Sequence, residues 1–210
     1  MEFNYIADGI DAVVIDNFYT EEQLKEIMLE LKWLTKKSIF VNEDKLNSAH
    51  RQDGEFITSK SGIFLEEVFK NWQHSALISH GMTQTTNKSF YNKLLEFNTL
   101  FKSVASCDER THLLSYYENA DYYDPHVDKT FFTILNYFYV EPKQFTGGEI
   151  VLYSAVSNKQ AIIEIKNNRT ILIAGCTSHE VKQIESKLNN NNLTGFGRYC
   201  NAMFLWVGKK

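Results

Sequence analysis

His126–Val127–Asp128 sets an imidazole and a carboxylate two positions apart. In extended backbone, residues i and i+2 leave the same face, so both side chains reach one point. On its own the tripeptide is common, and a surface histidine beside an aspartate is its ordinary reading. His179 changes that weighting. It follows the apolar stretch Thr170–Ala174 and opens a β-type segment, far enough along the chain from Asp128 for antiparallel strands to return to the same pocket. Two histidines and one carboxylate are a ligand set that holds Fe(II) on one side of its octahedron, leaving the opposite positions for a bidentate cosubstrate and dioxygen. Zinc hydrolases use the same ligand types, although no His-Glu-x-x-His run accompanies these residues. Arg198 opens the otherwise apolar segment that runs to Phe204. A buried guanidinium requires an anion, and its fork matches a carboxylate. A dicarboxylate cosubstrate would meet that need, as would a neighbouring Asp or Glu.

These groups need a rigid frame, and the pattern of the chain supplies one. Ala12–Ile15 is a short apolar run ending in Asp16–Asn17, and Thr20 stands three residues before Gln23, a capping box. Leu24, Ile27, Met28 and Leu31 follow as an apolar stripe opposite Glu22, Lys25, Glu26 and Lys32, so a strand leads into a helix that packs on something flat. Residues 41–61 are polar and irregular and read as a surface loop bordering a site. Helical zones are expected at about Ile63–Trp72 and Ser89–Lys102; in the second, Phe90, Leu94, Phe97 and Phe101 share a face and read as core.

From Thr111 the pattern turns to short β-rich segments: Thr111–Tyr117, Thr130–Val140, Glu149–Tyr153, Gln160–Ile165, Arg169–Ala174, His179–Ile184 and Arg198–Val207. Helices first and strands afterwards imply an α+β fold, its sheet closed or sandwiched and its early helices covering one face. The Asn189–Asn192 run reads as a flexible loop insert. With no repeat or proline-rich linker, residues 1–210 read as a single domain, a helical and strand lead to about 110 and a β core from about 111.

Composition narrows the function classes. The chain has 210 residues, 43% apolar and 23% charged, and its 15 Phe, 11 Tyr and 3 Trp favour sheets and deep pockets over disorder. A net charge of −4 with scattered Lys and Arg provides no basic field for a nucleic-acid backbone. No apolar run approaches the roughly 20 residues that cross a bilayer, and Glu2, Asp8, Asp11 and Asp16 interrupt any secretory signal, so a cytoplasmic protein is expected. Cys107, Cys176 and Cys200 are widely spaced, without a Cys-x-x-Cys pair, and read as structural thiols.

Tyr117–Glu–Asn–Ala–Asp–Tyr–Tyr–Asp–Pro–His126–Val–Asp128 resembles the Tyr-x-x-Gly-x-x-Tyr-x-x-His-x-Asp stretch of the iron and 2-oxoglutarate dependent dioxygenases, in their prolyl-4-hydroxylase-like group. Thr146–Ile150 resembles that family's Gly-Gly-Glu turn and strand, Ser178–Val181 its distal histidine segment, and Gly197–Tyr199 the strand whose basic residue binds the far carboxylate of 2-oxoglutarate. Together these four motifs, in order, span about half the chain. The resemblance implies a double-stranded β-helix (jelly-roll) core with the amino-terminal helices packed on one sheet. It implies Fe(II) held by His126, Asp128 and His179, with Arg198 and Tyr137 on the cosubstrate carboxylate and Tyr117 lining the pocket or its entrance. It further implies hydroxylation of a C–H bond, with 2-oxoglutarate decarboxylated to succinate, dioxygen consumed and ascorbate as reductant. The first-choice substrate is a prolyl residue in a peptide or protein; a free amino acid or other small molecule is the alternative, and a non-catalytic metal-binding β-barrel the rival. Oligomeric state is not readable. Two departures stand out: Ala120 replaces the motif's glycine, and the long interval between His179 and Arg198 makes Lys182 and Lys187 the fallback cations for the anion site.

Overall fold

The computed structural model describes residues 1–42, 46, 54–188 and 193–208. Residues 43–45 and 47–53 of the expected loop over 41–61, and the Asn189–Asn192 run, lie outside the described residues; the described ends of that loop contain short strands rather than irregular chain alone. The first strands are β1 Glu2–Ile6, β2 Ala12–Asp16, β3 Val41–Asn42, β4 Thr58–Ser59, β5 Ser61–Phe64, β6 Glu109–Tyr117, β7 Tyr122–His126 and β8 Phe132–Phe138. They are followed by β9 Phe145–Gly147, β10 Ile150–Tyr153, β11 Gln160–Ile163, β12 Arg169–Ala174, β13 His179–Val181, β14 Ile184–Ser186 and β15 Arg198–Trp206.

An antiparallel sheet in the order β1-β2-β12-β8-β15-β6-β5-β3 faces a second in the order β11-β10-β13-β7-β4, and β14-β9 forms a short pair. This is the double-stranded β-helix architecture. The larger sheet is covered on both faces, which explains why its strands read as continuous apolar runs rather than alternating ones. On β8, Phe132, Ile134 and Phe138 join a core that contains Ile27, Leu31, Leu77 and Leu94 from the helices. Leu135 and Tyr137 of the same strand join Ile150, Leu152 and Val181 of the smaller sheet. Strand alternation thus divides two cores, and residues of the second, among them Tyr117, Leu135, Tyr137, Ile150 and Val181, line a cavity.

Helix α1, Glu21–Lys36, begins where the capping box places it: Thr20 Oγ1 accepts from Gln23 N and Gln23 Oε1 accepts from Thr20 N. Ile27, Leu31 and Leu34 are its buried row. The expected helix over Ile63–Trp72 is corrected. Residues up to Phe64 form β5, with Ile63 opposite Leu114, and helix α2 is the single turn Leu65–Val68, followed by a 3-10 turn at Trp72–His74. A short apolar run suits either structure, and the open edge of β6 decides for strand. Helix α3, Ala76–Thr85, has no counterpart in the sequence reading. Its first turn is secured from outside, since Glu30 of α1 accepts from Ser75 Oγ and from the amide of Leu77.

The zone at Ser89–Lys102 is helix α4, Lys88–Phe97, plus a 3-10 run at Thr99–Ser106. Asn98 separates them: it is extended, and its side chain accepts from Leu100 N in competition with the helix ladder. Phe90, Leu94 and Phe101 are buried and Phe97 is half-buried against the same core, although Phe101 lies beyond the break and not on the face of α4. The single segment expected over His179–Ile184 divides into β13 and the start of β14. Cys176 is exposed, unlike buried Cys107 and Cys200, so its reading as a core thiol does not hold. Among the described residues no helix is long and apolar enough to cross a membrane.

Two local features carry stability predictions. Arg169 clasps Asp16 through Nε and Nη2 at 2.6 and 2.7 Å, tying β12 to β2. This fork holds the Asp16 carboxyl below the usual carboxylate range. Asp16→Asn is expected to lower unfolding free energy by about 2 kcal/mol at neutral pH. Because the folded-state pKa is depressed, the wild-type advantage is complete above the ordinary carboxylate pKa and disappears as pH falls through the depressed value; urea titrations at successive pH values check this. Ala120 has a φ of 69°, so the left-handed conformation of the glycine position survives without the glycine. Its amide donates to Ile184 O, which holds the bend in place. Ala120→Gly is expected to stabilise by about 1 kcal/mol, raising the melting temperature by about 3 °C in a calorimetric scan.

Candidate metal centre

Strand pairing brings the chemistry together. His126 ends β7 and His179 begins β13, and the two are register partners across the smaller sheet, 53 positions apart in sequence. Asp128 lies just beyond β7, while Val127 between them is 53% exposed. One potential ligand atom from each of His126, Asp128 and His179 lies within 4.8 Å of the others. His126 Nε2 is 3.8 Å from Asp128 Oδ1, and His179 Nε2 is 3.8 Å from Asp128 Oδ2. That is too long for hydrogen bonds, so these atoms surround a common point instead of satisfying one another.

Each ring is oriented from behind. His126 Nδ1 meets the Asp124 carbonyl at 2.9 Å and His179 Nδ1 meets the Thr177 carbonyl at 2.9 Å. A carbonyl only accepts, so Nδ1 carries a proton in both rings and each Nε2 faces the centre. Burial, with His179 alongside, pushes the His126 imidazole down to about 3, which leaves it neutral at physiological pH. Asp128 Oδ2 accepts from Thr133 Oγ1 at 2.6 Å, which fixes the carboxylate.

Arg198 opens β15 opposite Tyr117 of β6 and is 1% exposed. Its Nη1 donates to Gly148 O at 2.7 Å, and its buried Nε has no hydrogen-bond partner. Among the described residues no carboxylate pairs with it, so the alternative of a neighbouring Asp or Glu is not realised. The guanidinium carbon lies 4.1 Å from the Tyr117 ring centre and 5.3 Å from that of Tyr137. Burial raises the pKa of both phenols, so they stay protonated at neutral pH. The fallback cations lie elsewhere: Lys182 pairs with Glu180, and exposed Lys187 contacts the Lys143 carbonyl. The Gly147–Gly148 turn has a visible purpose. Both residues have φ of 72°, a Cβ on Gly147 would meet Gln183 O at 2.1 Å, and the turn presents the Gly148 carbonyl to Arg198.

One cavity is lined by His126, Asp128, His179, Arg198, Tyr117 and Tyr137 together. Lys60, Ser115, Tyr123 and Cys200 also line it and were not singled out from sequence as pocket residues. The i±2 rule offered a signal for two of them, since Ser115 precedes Tyr117 and Cys200 follows Arg198 by two strand positions. Tyr123 stacks on His126, ring centres 3.5 Å apart, and Lys60 Nζ lies 4.6 Å over Tyr123. Lys60 enters through the β4–β7 pairing, which nothing in the local sequence announces.

Residues 111–205 match the sequence model of the 2OG-Fe(II) oxygenase superfamily. The match covers the β-rich part of the chain, and that part is similar to the 2OG-Fe(II) oxygenases. The comparison with curated proteins gave no match. Among solved structures, a Pseudomonas putida prolyl-4-hydroxylase is similar with TM-score 0.64 at 12% identity, over 94% of this chain and 93% of that one. A Trichoplax adhaerens prolyl hydroxylase, in complex with a hypoxia inducible factor oxygen degradation domain peptide fragment, follows at TM-score 0.60 and 15% identity, over 96% and 84%. A 2OG-Fe(II) oxygenase family oxidoreductase from Burkholderia pseudomallei gives TM-score 0.55 at 11% identity, over 92% and 84%. At these identities the likenesses establish the fold. The donor set of the barrel, two imidazoles held through Nδ1 and an oriented carboxylate, fits ferrous iron, and the orphaned Nε of Arg198 fits an incoming carboxylate.

Proposed function

We propose that the protein is an Fe(II)- and 2-oxoglutarate-dependent dioxygenase that hydroxylates a prolyl residue in a peptide or protein and converts 2-oxoglutarate to succinate and carbon dioxide. One observation carries the reading: the inward-facing His126, Asp128 and His179 share a cavity with a buried arginine that has no carboxylate partner. In this reading His126, Asp128 and His179 hold the metal, Arg198 and Tyr137 hold the far carboxylate of 2-oxoglutarate, and Tyr117 lines the same pocket. Ferrous iron, with 2-oxoglutarate and dioxygen, supplies the oxidising power that no side chain has.

The chain supplies position and charge. The neutral His126 imidazole has no Nε2 proton to displace, and Thr133 keeps one Asp128 oxygen engaged so that the carboxylate cannot rotate. Arg198 acts out of water, where its attraction for a carboxylate is strongest, and the Tyr137 hydroxyl remains a donor because burial keeps it protonated. The two prolyl hydroxylases of like fold support the prolyl choice, and the peptide bound to one of them supports a chain substrate. Free Cys107, Cys176 and Cys200 accord with the reducing cytoplasm, where Fe(II) persists, and ascorbate is the reductant we assign. Residues 1–210 act as one domain in this reading.

The test incubates the protein with Fe(II), ascorbate, 2-oxoglutarate and oxygen, measures succinate, and follows proline-rich peptides and free amino acids by mass spectrometry. Succinate formation and the gain of one oxygen atom on peptidyl proline are expected. A gain confined to free amino acids would end the peptide reading, and iron binding without any succinate would favour the non-catalytic barrel.

A further inference from the structure

Among the described residues, one face of helix α1 is only partly covered. Leu24, Met28, Leu31 and Thr35 form a row at spacings of four, three and four residues, the floor of a groove of about 1040 Å³. By the helical rise the row is about 17 Å long, three turns. Across the floor the groove is closed by Leu193, Phe196 and Tyr199. The floor is only partly covered: Leu24 and Met28 are half-buried, while Leu31 and Thr35 are buried. Both lips carry an exposed apolar side chain, Leu29 at 67% and Phe196 at 44%, where a solvated rim would carry polar residues.

Charge identifies the occupant. The neighbouring row of α1 is Glu21, Lys25, Leu29, Lys32 and Lys36, so three lysines and one glutamate border the groove of a chain whose net charge is −4. All three lysines are exposed. A basic edge along an apolar floor, on an otherwise acidic protein, is complementary to an amphipathic segment with carboxylates beside its apolar stripe. The groove lies between a helix and the non-strand segment 193–197, with β15 paired on both sides, so it offers no open strand edge for an extended chain to join. A helix matches its length and the three- and four-residue spacing of its floor.

We propose that this groove docks an acidic amphipathic helix of a partner protein, on the helix-covered side of the larger sheet and separate from the metal cavity. The inference is independent of the proposed catalytic activity, and its test does not need turnover. Two synthetic peptides serve as probes, each with leucines at positions 1, 5, 8 and 12. One carries glutamates and the other lysines on the flanking positions. Each is labelled with fluorescein and titrated with the full chain while anisotropy is followed.

The glutamate peptide is expected to bind at least about tenfold more tightly than the lysine peptide, with the preference weakening as salt rises. Lys25→Glu with Lys32→Glu, both at exposed positions, should reverse the order, and Met28→Asp should weaken both peptides; melting curves verify that each variant is folded. Equal affinities, no binding of either peptide, or a preference unchanged in the double variant would overturn the proposal. Concentration-dependent self-association in sedimentation that the double variant abolishes would overturn it too, by making a second copy of the chain the occupant.

Discussion

If the proposed function holds, His126→Ala and Asp128→Ala are each expected to give a folded protein that fails to bind ferrous iron and forms no succinate. Orienting groups behind metal ligands are worth about 10- to 100-fold in affinity, and deleting a ligand exceeds that range. At a centre of three donors the expected loss is therefore more than about 100-fold, read by anaerobic titration with Fe(II). The fold should survive because the triad lies at the ends of β7 and β13, outside the apolar contacts that join the two sheets. His179→Ala should match His126→Ala, since the two rings are register partners with equivalent carbonyl supports. Full iron binding and turnover in any of the three variants would remove that residue from the ligand set.

Arg198→Ala should separate the cosubstrate from the metal. Truncating one partner of a buried, hydrogen-bonded charge pair costs about 2–5 kcal/mol, which corresponds to about thirtyfold or more in 2-oxoglutarate affinity. Iron affinity should hardly change, because the guanidinium binds the Gly148 carbonyl and lies against tyrosine rings, with no contact to the triad among its hydrogen bonds. Arg198→Lys keeps the charge without the fork and should recover only part of the binding. Lys182→Ala is the control: its ammonium is paired with Glu180 on the surface, so 2-oxoglutarate binding should be unaffected. Equal loss of iron and 2-oxoglutarate in Arg198→Ala would instead mean collapse of the pocket.

Much of the fold was open to reading because its signals are local. The Thr20–Gln23 capping box starts α1 at the expected residue, and the run of β segments after Thr111 gives the later strands with ends displaced by a few residues, except that β7 and β9 were not among them and β13 and β14 were read as one. Where competing structures share a pattern, local reading failed. Ile63–Phe64 suits a helix as well as a strand until the edge of β6 is present to pair with it, and Asn98 breaks its helix through a side-chain bond that composition does not reveal. Helix α3 was missed because its start is capped by Glu30, a residue from another helix.

The candidate site divides along the same line. Residue types and order were enough to select His126, Asp128, His179 and Arg198, because ligand chemistry and the cost of an unpaired buried guanidinium are properties of side chains. Convergence is not such a property. Antiparallel register sets His126 opposite His179 and Arg198 opposite Tyr117, and sliding a strand by one residue would turn those side chains to the other face. Lys60 and the stacking of Tyr123 on His126 arise from a strand pairing between distant segments, and the empty side of the Arg198 guanidinium is visible only once every neighbour is in place. The amino-acid order determined which groups could do the chemistry; the sheets decided which of them meet, because contacts between residues far apart in sequence depend on register and burial that no local pattern encodes.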